Sequence, residues 1–317
     1  MKFDLFIPAL LLSILLGKFF PEPAVYEGII NLEKIGDIGI SLVFLFYGIK
    51  LKLSRLKEDL ANWKLHAVIQ FSTFVLFPLI LLPFTLWLRD SDSWLLWLGG
   101  FFMAALPSTV TSSVILVSMA KGNVPSAIFN ASFSSLAGIF LTPIWMGIII
   151  HSGQDANSSE YGIIILKLVL QVFLPVVLGL FLNRYLGKWA EKRLTFIHIF
   201  DRIVILLIVY LSFAKSFYSN QFQLVEITDL LFTSLFCLVL LFVVYQIITL
   251  ICNILKFNKK EKITAQFLGS QKFLIHGTVM SKVIFSNILG VGVILLPLMI
   301  YHVFQLVIFG VIAKRKK

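Results

Sequence analysis

The sequence predicts an all-α integral membrane protein with ten transmembrane helices in two inverted five-helix repeats, the fourth and ninth helices being broken. Three observations predict this. Of 317 residues, 59% are hydrophobic and only 14% charged, and the mean hydropathy is +0.95, a balance that places the chain in lipid rather than in water. Ten apolar stretches are each long enough to cross about 30 Å of hydrocarbon, which takes roughly 20 helical residues. Two of those stretches are interrupted by polar and helix-breaking residues at corresponding places in the two halves of the chain.

The first span falls at 4–20. Its start, Met1-Lys2-Phe3-Asp4, is weakly basic and no small-x-small cleavage site precedes Pro21, so a retained helix is expected rather than a signal peptide. The second and third spans fall at 29–50 and 65–88, and the fourth and fifth, 94–120 and 123–150, meet in a tight joint. The polar stretch from His151 to Glu160 then divides the chain near its midpoint. Spans six to eight follow at 161–183, 197–218 and 228–255, and nine and ten, 263–285 and 286–313, again meet tightly. The first repeat is therefore 1–150 and the second 161–317. Five is an odd number, so the second repeat enters the membrane with opposite orientation. Short matches fall at equivalent spans: Phe6-Ile7-Pro8 against Phe173-Leu174-Pro175, and Gly138…Thr142-Pro143 against Gly292…Leu296-Pro297.

The net charge of +11 is distributed as in a membrane protein, not as in a nucleic-acid-binding one. With both termini cytoplasmic, the inner loops hold Lys50, Lys52, Arg55, Lys57, Lys64, Lys121, Arg184, Lys188, Lys192, Arg193, Lys256, Lys259, Lys260, Lys262 and the Lys314–Lys317 tail. The outer loops hold only Lys18, Arg89, Lys215 and Lys282. That asymmetry fixes an even number of spans with both ends inside, in the inner membrane if the source is prokaryotic. Cys237 and Cys252 lie fifteen residues apart on the eighth span, about 22 Å by helical rise, too far for a disulfide. The five histidines show no metal-ligand spacing, and no phosphate loop, nucleophile–base pattern or acid pair is present, so an enzyme is not expected.

Both breaks carry chemistry. In the fourth span Pro107 removes a backbone donor and frees carbonyls, and Ser108, Thr109, Thr111, Ser112 and Ser113 then place five hydroxyls in six residues at mid-membrane depth. Such hydroxyls commonly bond back to their own helix. Paired with a second break, they instead point to a half-helix whose positive end faces a cavity and favours an anion, beside carbonyls and hydroxyls that can ligate a small hard cation. In the ninth span the break is expected over Leu268-Gly269-Ser270-Gln271-Lys272, with Gly269 permitting a non-helical turn and Gln271 offering donor and acceptor. Lys272 lies about ten residues inside an apolar span, where a charge is costly and usually functional. It reads either as snorkelling to the inner interface or as a tethered cation able to give up and regain a proton during transport. Gln70 and Asn130 are polar at depth in the third and fifth spans, as interhelical glue or as ligands.

These residues carry a resemblance. Pro107…Ser112-Ser113, Lys121-Gly122-Asn123 and Phe129-Asn130, with Gln70 running to Pro78 and Gly269-Ser270-Gln271-Lys272 through Pro297…His302…Gln305, resemble the bile acid:sodium symporter family, in a divergent branch. The resemblance implies a panel domain of spans 1, 2, 6 and 7 facing a core domain of spans 3–5 and 8–10, with the broken helices 4 and 9 crossing in the core. It implies secondary transport of an organic anion by alternating access, usually coupled to sodium. Position by position it puts Ser112, Ser113 and Asn130 near one sodium site and Gln70 and Gln271 near the other; Ser270 is a further cation-binding candidate, and Pro107, Ser108, Thr109, Thr111 and Lys272 are the candidates for the substrate. One departure stands out: Thr264-Ala265-Gln266-Phe267-Leu268 lacks the acidic residue the family places before this crossover, and spans 4, 5, 9 and 10 hold no Asp or Glu. The expected partners are a small organic anion and the lipid bilayer, not nucleic acid; the coupling ion is sodium or a proton, and no cofactor is expected. The alternative is a non-transporting membrane regulator of ion homeostasis that keeps a transporter fold.

Overall fold

A computed structural model describes residues 6–26, 31–50, 62–84, 88, 91, 93–151, 166, 169–286 and 288–316, and among them every regular element is helical. In chain order the helices are α1 (Phe6–Phe19), α2 (Glu22–Val25), α3 (Leu32–Lys50), α4 (Trp63–Phe71), α5 (Phe77–Leu81), α6 (Trp94–Ala105) and α7 (Thr111–Met119). They continue as α8 (Val124–His151), α9 (Leu174–Lys192), α10 (Leu194–Tyr218), α11 (Ile227–Ile254), α12 (Lys259–Ser270), α13 (Leu274–Ile284) and α14 (Val291–Arg315).

Among the described residues, six helical runs are long and apolar enough to cross a membrane: Trp63–Phe84, Val124–Ile150, Val169–Lys192, Leu194–Tyr218, Ile227–Ile254 and Val291–Arg315. Phe6–Phe19 and Trp94–Ala105 are shorter apolar helices, and α3 occupies the second expected span while carrying Glu33, Lys34, Asp37 and Lys50. These helices leave many large apolar side chains exposed, as on α11 with Ile227, Leu231, Phe232, Leu235 and Val239. A helix apolar all round belongs in lipid, and the chain is a multi-pass membrane protein. The start of the sixth span and the loop expected outside at 152–160 lie outside the described residues, as do the basic residues Lys52, Arg55 and Lys57. The helix that follows runs to Lys192, beyond the expected end at 183.

The chain divides into two compact units. One comprises Met1–Leu51, Gly153–Leu224 and Thr278–Val293. Within it α3 and α9 touch backbone to backbone: a Cβ on Gly48 would collide with the Val176 carbonyl oxygen, and one on Gly179 with that of Leu45. Small residues permit such approach where helices associate in lipid. Three ion pairs lie in this unit among the described residues, Lys50 with Asp201 at 3.0 Å, Lys215 with Glu33 at 2.7 Å and Lys282 with Asp37 at 2.6 Å.

The other unit comprises Lys52–Ser152, Val225–Gly277 and Ile294–Lys317. Capping boxes fix two of its helix starts, Glu226 with Asp229 on α11 and Asn258 with Glu261 on α12. Its α7–α8 joint closes on Lys121 at φ 59°, with the Gly122 amide donating to the Val117 carbonyl at 2.9 Å. Between α4 and α5 the helix widens into a π turn at Ser72–Leu76, where the Phe77 amide bonds to the Ser72 carbonyl. Pro78 follows with no amide to give. The carbonyls of Thr73 and Phe74 therefore lose their helical donors. The Trp145 indole takes Phe74 O at 2.8 Å; Thr73 O is met from elsewhere, below. Cys237 and Cys252 are buried free thiols.

Candidate functional site

The site lies in this second unit, where both helix breaks meet. After Ala105 the chain leaves the helix, extended at Leu106 (ψ 153°), and becomes helical again from Val110 into α7 at Thr111. Carbonyls that lose their helical donors here find others, as buried backbone requires. The Leu106 amide turns back to Met103 O at 3.2 Å, Thr142 Oγ1 donates to Ala105 O at 2.8 Å, and the Phe273 amide of the other break donates to Pro107 O at 3.0 Å. Lys272 Nζ takes two more, Ala104 O at 2.6 Å and Leu106 O at 2.9 Å. The stranded Ser108 amide is capped by Ser134 Oγ at 3.0 Å. Gly138 lets α8 close on the break, since a Cβ there would sit 2.8 Å from the Pro107 ring.

The ninth-span break falls at Gln271–Phe273, later than Gly269 suggests. Gly269 stays helical. Its missing side chain serves packing instead: a Cβ would lie 2.8 Å from Ile248 Cδ1 and 3.2 Å from Ser72 Cβ. Gln305 pairs with the backbone of Lys272 as a strand would, its Oε1 accepting from the amide at 2.8 Å and its Nε2 donating to the carbonyl at 2.9 Å. Tyr301 OH donates to Ser270 O at 2.6 Å, and Ser108 Oγ to Leu268 O at 2.7 Å. The two breaks thus cross in contact, the first held by side chains from α8 and the second by side chains from α14.

At the crossing, Gln271 Oε1 lies 2.9 Å from Thr109 Oγ1 and 3.0 Å from Ser113 Oγ, either of which can donate to it. Ser112 Oγ is 2.6 Å from Thr109 Oγ1. Gln271 is fully buried, and among the described residues its Nε2 has no hydrogen-bond partner. Ser270 Oγ turns back to Gln266 O at 2.7 Å. Thr111 is exposed on the first turn of α7 and makes none of these bonds. Lys272 does not snorkel. It is 0% exposed, and its ammonium meets Thr73 O at 2.8 Å in addition to the two carbonyls above, with the Phe77 ring 4.0 Å away.

Gln70 and Asn130 pair with each other rather than with the crossing. Gln70 Nε2 donates to Asn130 Oδ1 at 3.1 Å, and Asn130 Nδ2 reaches Ser126 O and His66 Nδ1, each at 2.8 Å. Gln70 Oε1 and Ser126 Oγ have no partner. The resemblance grouped Asn130 with the serines and Gln70 with Gln271, but the hydrogen bonds join Gln271 to Ser113 and Gln70 to Asn130. Beside the latter pair a cavity of about 330 Å³ is lined by Trp63, His66, Ala67, Gln70, Phe129 and Phe133. Gln305 and Tyr301 were not singled out as site residues from sequence. Their signal was a polar group at depth in an otherwise apolar tenth span.

Known proteins share this chain along its whole length. A family model described as the SBF-like CPA transporter family matches residues 4–317. The chain is 34% identical over 315 residues to the "Putative symporter YfeH" of Escherichia coli strain K12, covering 99% of this chain and 93% of that protein. An uncharacterised protein of Pseudomonas aeruginosa is 35% identical over 313 residues, 98% of this chain and 92% of the relative. Rat sodium/bile acid cotransporter 7 is 28% identical over 318 residues, 97% and 90% respectively.

Proposed function

The chain belongs to the SBF-like CPA transporter family, and on that premise we propose that it is a secondary-active transporter that moves an organic anion by alternating access. The observation that carries this reading is Gln271: its carbonyl oxygen is held by Thr109 and Ser113 while its buried amide NH₂ has no partner. A donor left over where two broken helices cross suits a carboxylate or similar anion. The starts of α7 and α13 add positive dipole ends, each stabilising an anion by about 0.3–2 kcal/mol. A membrane protein without a ligand to serve has no reason to keep a stranded donor in its interior, which favours transport over a regulatory scaffold.

In this reading spans 1–5 and 6–10 form the inverted repeats and both termini are cytoplasmic. The composition of the two compact units supports a panel built on spans 1, 2, 6 and 7 and a core built on spans 3–5 and 8–10, with residues 278–293, the end of the ninth span and the start of the tenth, grouping with the former. Sodium, where it couples, is a co-substrate. Gln70, Asn130, Ser112, Ser113, Ser270 and Gln271 are its candidate ligands, and the unpartnered Gln70 Oε1 and Ser126 Oγ beside Asn130 are oxygens of the kind a small cation takes.

The test is a thermal-shift screen of the purified protein against organic anions, with taurocholate below its micellar concentration among them, in sodium, potassium and N-methylglucamine buffers. A ligand of the folded state raises the unfolding temperature by mass action. The reading expects a saturable rise with an anion, absent with its uncharged analogue and abolished by Gln271→Leu. A rise that survives Gln271→Leu and Thr109→Val alike puts the anion somewhere else.

A further inference from the structure

Three backbone carbonyls converge on one point of the second unit for reasons that do not involve Lys272. Thr73 O is freed because the π turn sends the Phe77 amide to Ser72 O and Pro78 has no amide. Ala104 O loses its helical donor because the Ser108 amide turns to Ser134 Oγ, and Leu106 O lies in the extended stretch before α7. The Phe77 ring faces the same point. Three negative dipole ends and an aromatic face around a buried position make a cage for a monovalent cation, of the kind in which carbonyl oxygens replace a hydration shell. Left empty, it would strand three carbonyls in apolar surroundings.

Lys272 Nζ sits in this cage, 2.8, 2.6 and 2.9 Å from the three oxygens and 4.0 Å from the ring centroid. Three acceptors match the three N–H bonds of an ammonium group. Among the described residues no carboxylate lies within ion-pairing distance of it. The partners of the charge are the cage and nothing else. The backbone of Lys272 is clamped separately by Gln305, so the stem starts from a fixed point.

We propose that the Lys272 ammonium is a covalently tethered monovalent cation, permanently filling a carbonyl cage that would otherwise take a free one. It is thus not a contact for the transported anion, and no free alkali cation is carried at this point. The proposal rests on the cage geometry alone, and a stability readout separates its failure from failure of the transport reading.

Removing the side chain while keeping the cage should create a site for free cations. Lys272→Ala is purified and its unfolding temperature followed against chloride salts of ethylammonium, ammonium, potassium and sodium, with N-methylglucamine as the ionic-strength control. The variant is expected to unfold roughly 10 °C below the parent, and ethylammonium or ammonium should recover at least half of that loss saturably while leaving the parent unchanged. Lys272→Met, which fills the space without charge, should show the loss and no recovery. The second measurement keeps Lys272 and replaces Phe77 with 4-fluoro-, 3,5-difluoro- and 3,4,5-trifluorophenylalanine, which withdraw charge from the ring face at nearly constant shape. A stepwise fall in unfolding temperature across that series is expected even if the Lys272 variants fail to fold. A flat fluorine series, a Lys272→Met protein as stable as the parent, or a Lys272→Ala protein indifferent to cation identity would each overturn the proposal.

Discussion

Gln271 and Lys272 are neighbours in sequence and opposite in role. The glutamine keeps an unused donor at the crossing, whereas every N–H of the lysine ammonium is taken by a backbone carbonyl. A charge at depth was legible in the sequence. Its partners were not, because a carbonyl freed by a π turn or an extended segment leaves no mark on the residue that carries it: Thr73, Ala104 and Leu106 look like ordinary helix residues. Gly138 is the residue-scale test of the packing. A Cβ there meets the Pro107 ring at 2.8–2.9 Å, and a proline ring cannot swing aside. Gly138→Ala should therefore cost about 1–3 kcal/mol as an overpacking change. Gly310→Ala, where nothing lies within 4 Å, should be neutral or mildly stabilising. Thermal unfolding of the two variants side by side checks this, and equal effects would contradict the geometry.

At the scale of elements, the first break could be read directly from Pro107 and the hydroxyl run behind it. The second was placed too early, because glycine signals backbone freedom and close packing with the same letter. Gly269 provides the packing; the helix runs on to Ser270 and opens only at Gln271. The breaks hold because side chains from other helices replace the missing helical bonds. Ser134→Ala strands the Ser108 amide and should cost about 1–3 kcal/mol. Gln305→Leu strands both backbone groups of Lys272 and should cost more than Ser134→Ala. Denaturation in one detergent gives the order. If Gln305→Leu proves the milder change, the extended segment at Gln271–Phe273 has another support.

For the whole molecule, hydrophobic length and the two breaks were enough to place the chain among membrane transporters, and family membership now stands on its full length. The identity of the carried anion is not written in residue types, since an amide and helix ends accept many anions. Orientation is open to a direct check. The basic-residue asymmetry predicts that a cysteine at Ser158 reacts with an impermeant maleimide in intact cells while one at Lys259 does not; the reverse pattern would remove the inverted-repeat account. The central claim is that an anion is carried at the crossing of the two broken helices. The measurement that reaches it is uptake of a radiolabelled anion, first identified by the thermal screen, into proteoliposomes under separately imposed sodium and proton gradients, for the parent protein and Gln271→Leu. The account predicts accumulation driven by one of the gradients in the parent and loss of at least nine-tenths of the rate in a Gln271→Leu protein that folds normally. Gradient-driven uptake that is unchanged by Gln271→Leu would contradict it.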